Sequence, residues 1–165
     1  MEKRQATKKA PASGQPWKMP PLIKVYEALG AIADGRVRML DETHAEVVSS
    51  EGDKHYTVVI DGKAIVANDN GSYWQGYIGY PAIAVMIAKG IIAGNRDAAI
   101  ALAGIPWKEL NRRYRNDYAQ TIAEVERTVG ARNGDPVAIK TACEAIVAAL
   151  SAYAPIRGAR RRPPQ

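Results

Sequence analysis

Four short segments between residues 36 and 67 narrow the possible folds of this chain more than any other part of it. They read RVRML, HAEVVSS, HYTVVI and KAIVA, and the links between them contain Glu51-Gly52-Asp53 and Asp61-Gly62. Alternation of apolar and polar residues predicts β-strands, and an Asp-Gly pair favours the tight turn of a hairpin. We therefore expect a small antiparallel β-meander of about four strands, which needs helices to cover one of its faces.

Helical patterns lie on both sides of these strands. Before them, apolar residues recur at helical spacing at Leu22, Val25, Tyr26 and Leu29. After them, Pro81 opens a mostly apolar segment, which predicts a central and buried helix. A short helix is predicted over Asn95–Ala103, and a long one begins at Pro106 and keeps its apolar period to Val129. Asp135-Pro136 starts a last helix, which Pro155 ends.

These patterns predict an α+β fold in which the meander packs against three to five α-helices. The chain has 165 residues, 47% of them apolar, which is enough for one core. We expect a single domain over residues 21–154, with the meander and its following helix in 36–92 and the helical part in 95–154. Residues 1–20 and 155–165 are expected to be flexible basic extensions.

Positive charge is concentrated at the two ends. Residues 1–18 carry five basic residues and one acidic residue, residues 155–165 carry four arginines and no acid, and residues 19–154 carry 14 basic and 16 acidic residues. Flexible lysines and arginines can follow phosphates without a fixed geometry, so both ends predict contact with nucleic acid. Solvated termini that only aid solubility are the alternative. The candidate contacts are Lys3, Arg4, Lys8, Lys9, Lys18, Arg157, Arg160, Arg161 and Arg162.

The helix that begins at Pro106 carries a second group of cations. Lys108, Arg112 and Arg115 are spaced to share one face, with Arg113 beside it. Glu109 and Asp117 are the only acids close in sequence that could neutralise them. This face predicts phosphate contacts, and an ordinary solvated helix face is the alternative.

The loop before the central helix is rich in rings and glycines. Residues 69–85 read DNGSYWQGYIGYPAIAV. Such rings can stack on unpaired bases, or they can close a small core. We expect packing for Tyr77 and Tyr80, and both interpretations stay open for Tyr73 and Trp74. The glycines do not form a phosphate-binding P-loop, because no Lys-Ser or Lys-Thr pair follows Gly76.

No pattern in the sequence indicates catalysis or a metal site. His44 and His55 lie in the predicted meander without metal-ligand spacing, and the single Cys143 rules out an intrachain disulfide. We expect a protein that is not an enzyme and binds no cofactor and no metal. The start of the chain is polar, and the apolar stretch 82–92 is too short to span a bilayer. We therefore expect a cytoplasmic protein without membrane contact.

The segments HYTVVIDGKAIVAND and GYPAIAVMIAKGII form a predicted hairpin, a loop and a helix. Over about 40 residues, this order resembles the SWIM-type zinc finger, which has C-x-C at the end of a hairpin and C-x-H at the start of a helix. Here Ala82 and Ala84 take the C-x-H positions, and C-x-C would fall near Ala67 and Asp69. The resemblance implies a degenerate, metal-free binding module in which alanines and rings replace zinc as the clasp between hairpin and helix.

The predicted function is non-catalytic binding of RNA. Structured RNA, such as rRNA in a ribosome-like ribonucleoprotein particle, is the expected partner of the basic ends, the basic helix face and the pair Tyr73 and Trp74. Neighbouring proteins of a large complex are further candidate partners. The alternative is a SWIM-like adaptor that binds protein or DNA through its Tyr-Trp loop.

Overall fold

A five-stranded mixed sheet and the helices packed on it form the structure, a computed structural model that describes residues 14–165. The helices are α1 (Leu22–Ala33), α2 (Tyr80–Ala88), α3 (Arg96–Ala101), α4 (Trp107–Arg113), α5 (Tyr118–Ala131) and α6 (Pro136–Tyr153). The strands are β1 (Val37–Met39), β2 (His44–Val48), β3 (His55–Asp61), β4 (Ala64–Ala67) and β5 (Ile156–Arg157). A single turn of π-helix, Gly71–Gln75, lies between β4 and α2. The predicted α+β class is confirmed.

The predicted meander forms β1 to β4, which pair antiparallel in chain order. Its register follows the apolar alternation. Ala45 and Val47 of β2 are buried, whereas their neighbours in the strand are partly exposed. The Asp61-Gly62 turn joins β3 to β4, and Gly62 has a φ of 60°, a left-handed conformation that favours glycine.

A fifth strand, which the sequence pattern did not predict, runs parallel to β4. The N–H of Ile156 donates to the carbonyl of Lys63 at 2.8 Å. The N-terminal segment lies alongside, because the N–H of Trp17 donates to the carbonyl of Pro155 at 3.0 Å, and the Trp17 side chain is buried. Residues on both sides of 21–154 therefore pack onto the sheet, and Arg157, expected in a flexible tail, is a strand residue.

α2 lies at the centre of the core, as its apolar sequence predicts. Every residue from Pro81 to Met86 is buried, and the helix packs against strands β1 to β4 and against α1. Ala82 and Ala84, which take the SWIM ligand positions, are completely buried here. The start of this helix is therefore held by apolar packing.

The prediction of a single long helix from Pro106 is wrong, since two helices, α4 and α5, form instead. Arg115 and Asn116 adopt left-handed φ values of 51° and 61° between them. The N–H of Asn116 donates to the carbonyl of Asn111 at 2.8 Å, which is the hydrogen bond that ends a helix in a Schellman motif. Asp117 then caps the next helix by accepting from a backbone N–H.

This break changes two of the sequence predictions. Residues 14–165 contain six α-helices, where three to five were expected. Arg115 lies after the end of α4 and does not continue the face of Lys108 and Arg112, so the prediction of one face shared by all three is wrong.

α6 is the one helix among the described residues that is long and apolar enough, by length and composition, to cross a membrane. In the fold it packs against α1, α3 and α5. Its buried residues are Ile139, Cys143, Ile146 and Leu150. The described chain is a globular domain with one weakly apolar helix.

Candidate ligand-binding cleft

A cleft of about 480 Å³ lies between the loop after β4, the start of α1, β3 and α4. Its aromatic lining consists of Tyr56, Trp74, Tyr77, Tyr80, Trp107 and Tyr118. Its polar lining includes Lys24, Glu27, Arg36, Asp69, Lys108, Asn111 and Arg112. We call it the aromatic cleft. Its volume is in the range of small-ligand pockets, which combine apolar and aromatic walls with a few placed polar groups.

A buried ion pair forms part of the lining. Nζ of Lys24 donates to Oε2 of Glu27 at 2.8 Å, and Nδ2 of Asn111 donates to Oε1 of the same carboxylate at 2.5 Å. Glu27 is only 3% exposed, so its charge depends on these two donors. Burial lowers the pKa of Lys24, but the Glu27 carboxylate more than offsets this and leaves that pKa above its usual value.

The side-chain oxygen of Asn111 is buried and has no hydrogen-bond partner among the described residues. The orientation of the amide follows from its other contact, because a flip would turn the oxygen towards the Glu27 carboxylate. A buried amide oxygen without a donor costs free energy. The Asn111 oxygen is an unsatisfied acceptor on a residue that lines the aromatic cleft.

One aspartate holds the loop between β4 and α2. Asp69, which is 5% exposed, accepts from the Ser72 hydroxyl at 2.6 Å and from the Ser72 N–H at 3.1 Å. The Ser72 hydroxyl oxygen in turn accepts from the N–H of Gly79 at 3.2 Å. Burial raises the pKa of Asp69, and the hydrogen bonds from Ser72 oppose that rise. We call this arrangement the Asp69 clasp; it joins the hairpin to α2 through hydrogen bonds.

Tyr77 and Tyr80 are half-buried and line the aromatic cleft. Tyr80 meets Tyr56 edge to face with 6.1 Å between the ring centres. The Tyr77 ring lies so close to Gly71 that a Cβ there would come within 2.5 Å of it. Burial raises the pKa of Tyr77 to about 12 and raises that of Tyr80 as well, so both phenols are neutral at physiological pH. The two rings serve both as packing and as wall.

The basic side chains of α4 lie at the rim of the cleft, where acids from the β2–β3 turn neutralise them. Nζ of Lys108 is 2.6 Å from Oδ2 of Asp53 and 3.4 Å from Oε2 of Glu51. Nη2 of Arg112 is 3.3 Å from the same Glu51 oxygen. Glu109 and Asp117 are close in sequence, but the acids that pair with Lys108 and Arg112 come from this distant turn, which folds against the helix.

Arg113 is paired on the other side of α4. Its guanidinium contacts Glu109 at 2.7 Å and Glu124 of α5 at 3.0 Å. Arg115 is exposed, and it has no ion pair within the range that the structure describes. Three of the four cations predicted on this helix are therefore already matched by carboxylates.

The contact between Lys108 and Asp53 makes stability depend on pH. Hydrogen bonds from Lys108 and Ser49 hold the pKa of Asp53 at about 2, below the ordinary value of 3.8. Because the pKa is lower in the folded chain, this carboxylate stabilises the fold above about pH 4, and the effect disappears as the pH falls through about 2. We expect Asp53→Asn to lower the free energy of unfolding at neutral pH, with a difference from wild type that shrinks between pH 4 and pH 2. Urea unfolding of both chains at each pH measures this difference, and a difference that stays constant between pH 4 and pH 2 would contradict the prediction.

Tyr73 and Trp74, for which the sequence left two interpretations open, lie at the surface beside the C-terminal tail. Trp74 is 67% exposed and meets the Tyr73 ring edge to face at 4.7 Å. The Arg160 guanidinium lies 4.2 Å from the centre of the Tyr73 ring and donates to the Tyr73 carbonyl at 2.8 Å. Residues 87 positions apart thus form one surface, which we call the Trp74–Arg160 surface and which adjoins the aromatic cleft through Trp74.

The other cations predicted to contact nucleic acid at the two ends have different surroundings. The Arg157 guanidinium lies 5.0 Å from the centre of the Trp17 ring. Arg161 and Arg162 are exposed and form no ion pair with residues 14–165. Lys18 is exposed and accepts, through its carbonyl, from the N–H of Ile78 at 3.1 Å. Lys3, Arg4, Lys8 and Lys9 lie outside the described residues, and their contacts stay a prediction.

Each of the two histidines has one acidic neighbour. Nδ1 of His44 is 3.1 Å from Asp41, and Nδ1 of His55 is 3.1 Å from Glu46. Within residues 14–165, no group of three or more His, Cys, Asp or Glu side chains is placed to hold a metal ion. Cys143 is buried in α6, and burial raises the pKa of its thiol to about 12.

Lys24, Glu27 and Asn111 line the cleft but are not among the candidate site residues predicted from the sequence. Lys24 and Glu27 have opposite charges at a helical spacing, and Glu27 lies among the apolar residues of α1. A charge within a buried stripe is a detectable sign of a partner, because such residues are rarely buried unpaired. Asn111 offers no such sign, since the carboxylate that it contacts is 84 residues away.

Comparisons with curated proteins and with solved structures found no match to this chain. One family model, described as Uncharacterised conserved protein UCP014422, matches residues 17–155. The matched range begins at the buried Trp17 and ends at Pro155, whose carbonyl accepts from Trp17, so it spans nearly the whole ordered domain. Because the match covers more than half of the chain, the chain belongs to the family of Uncharacterised conserved protein UCP014422.

Proposed function

We propose that this protein is a non-catalytic, cytoplasmic RNA-binding protein that belongs to a ribonucleoprotein particle and holds single-stranded RNA at the Trp74–Arg160 surface. The contact between Arg160 and Tyr73 carries the proposal, because it joins the basic tail to the partly buried Tyr73 and, through it, to the exposed Trp74. Single-stranded segments of structured RNA, such as rRNA, present unstacked bases to a surface of this kind.

The exposed ring supplies the base contact. Trp74 is held in place by Tyr73, which in turn packs under Arg160, so the indole is positioned before RNA arrives. A large apolar ring that is 67% exposed loses the benefit of burial unless something covers it. Stacking of one base on an aromatic side chain contributes about 1–3 kcal/mol.

The tail supplies the phosphate contacts. Arg161 and Arg162 directly follow the anchored Arg160 and have no acidic partner within the described residues. The cations of α4 contribute less in this proposal, because Lys108 and Arg112 would have to leave their carboxylates. Phosphate contacts release counterions, so binding through the tail must weaken as salt rises.

Titration of a fluorescein-labelled single-stranded RNA at several KCl concentrations tests this. Replacing Arg160, Arg161 and Arg162 together by alanine should flatten the plot of log affinity against log salt by about 1.4, because the phosphate contacts of Arg161 and Arg162 are lost and each contact on a single strand contributes about 0.7. Trp74→Ala should lower the affinity about tenfold and leave the slope unchanged, because an indole carries no charge. Truncation before residue 156 is a poorer test, since it would also remove β5.

A triple variant of equal charge serves as the control. Arg96, Arg127 and Lys140 are exposed and do not line the aromatic cleft, so replacing them by alanine should leave the slope close to that of wild type. If both triple variants reduced the slope equally, the proposal would be contradicted, because the change would reflect net charge alone. If neither Trp74→Ala nor the tail variant changes RNA binding, the proposal fails and the adaptor interpretation of the Tyr-Trp loop takes its place.

A further inference from the structure

We infer that the aromatic cleft binds a single nucleobase, uncharged and carrying an N–H donor, with adenine as the fitting example. The inference rests on the proposed function for the source of that base, an unpaired nucleotide of RNA; a free nucleoside would present the same chemistry. The inference is carried by Lys24, Glu27, Asn111 and the aromatic rings of the lining. Of these residues, only Trp74 also belongs to the Trp74–Arg160 surface.

The walls suit a flat heteroaromatic group. Four tyrosines and two tryptophans line a space of about 480 Å³, which leaves room for a base and part of its sugar. Tyr56 and Tyr80 already contact each other edge to face, so their orientations are defined before a ligand enters. Flat rings bind planar bases by stacking whatever the base identity, and this supplies affinity but little selectivity.

The charge balance of the lining disfavours an anionic group, because its cations are paired and its carboxylate Asp69 already accepts two hydrogen bonds from Ser72. Lys24 is matched by Glu27, Lys108 by Asp53, and Arg112 by Glu51. Arg36 has its own acid, with Nε 3.5 Å from Oδ2 of Asp34. An anionic group deep in the cleft would have to compete with these carboxylates, whereas a neutral base leaves every pair intact.

The unpartnered Asn111 oxygen supplies the polar contact. Its amide nitrogen is engaged by Glu27, so the oxygen is fixed as an acceptor. An asparagine oxygen accepts from the exocyclic amino group of adenine, and a base without that group would leave the oxygen unsatisfied. The cleft should therefore distinguish adenosine from purine riboside, which has the same ring and sugar without the amino group.

NMR of the ¹⁵N-labelled full chain tests the inference, because the three tryptophans provide an internal comparison. Trp74 and Trp107 line the cleft, whereas Trp17 packs elsewhere under Arg157. Adenosine at millimolar concentration should shift the indole N–H signals of Trp74 and Trp107 saturably and leave that of Trp17 in place. Purine riboside should bind about tenfold more weakly, and ribose should cause no shift.

Asn111→Leu should reduce the affinity for adenosine to that for purine riboside and leave the affinity for purine riboside unchanged. Should this variant fail to fold, the comparison of the three ligands on the wild-type chain decides alone. Equal binding of adenosine and purine riboside, binding of ribose, an equal shift of Trp17, or no saturable shift with adenosine would each overturn the inference.

The two proposals fail separately. Saturable binding of adenosine in the cleft, with RNA affinity indifferent to the tail, would support the base site and contradict the proposed function. Salt-dependent RNA binding through the tail without any effect of adenosine on Trp107 would do the reverse. If RNA is the source of the base, a single-stranded oligoadenylate should bind more tightly than adenosine and displace it, whereas no displacement would show that a free nucleoside is the ligand.

Discussion

Replacing Gly79 by alanine is expected to lower the free energy of unfolding by about 3 kcal/mol. The new Cβ would lie 2.0 Å from Oδ2 of Asp69 and within 2.8 Å of the other carboxylate atoms. Asp69 cannot turn away at little cost, because it is buried and holds both the hydroxyl and the N–H of Ser72. Relief requires a shift of the whole loop and the loss of buried hydrogen bonds, each of which is costly. Urea unfolding of the two chains measures the difference.

Gly130→Ala is the matched control for this substitution. Gly130 lies within α5, and a Cβ at this position would meet nothing within 4 Å. Alanine is the better helix former by up to about 1 kcal/mol, so this variant should be as stable as wild type or slightly more so. If both variants lost similar stability, or if Gly79→Ala lost none, the Asp69 clasp would not be the reason why position 79 requires glycine.

Lys24→Met is expected to cost about 3 kcal/mol of stability. Methionine keeps most of the apolar stem of lysine, but it removes the ammonium group that lies 2.8 Å from Glu27. The carboxylate is 3% exposed, and with Lys24 gone the amide of Asn111 is its one remaining side-chain donor among residues 14–165. Uncompensated buried charge is among the few causes of large destabilisation. The change in the urea midpoint at constant slope measures it.

A second substitution separates loss of charge from loss of packing. Glu27→Gln in the Lys24→Met background should recover part of the stability, because a neutral amide needs no counter-charge. Arg38→Met is the control on an exposed pair: Arg38 is 69% exposed and lies 3.4 Å from Glu46, so its loss should cost less than about 1 kcal/mol. If Lys24→Met costs no more than Arg38→Met, the pair in the cleft is not acting as a buried one.

Some elements that departed from expectation had a local sign in the sequence. Asn116 tolerates the left-handed conformation and Asp117 is a good helix cap, so the break between α4 and α5 was present as a turn signal. The apolar period continues across it in Tyr114 and Tyr118, because both rings pack against the same core from two helices. Periodicity alone therefore could not distinguish one helix from two. β5 had no such sign, because two residues are too few to show alternation.

The sequence by itself determined the strands of the meander, the buried α2 and the capped start of α6, since each depends on the spacing and turn chemistry of neighbouring residues. Only the tertiary structure decided which charges are neutralised and where the rings meet. The contacts that form the cleft and its surface join residues far apart in the chain: Lys108 and Asp53 are separated by 55 positions, Asn111 and Glu27 by 84, and Arg160 and Tyr73 by 87. Local patterns act over a few residues, whereas a site of this kind exists only when the packing of the core has brought its separate pieces within hydrogen-bonding distance.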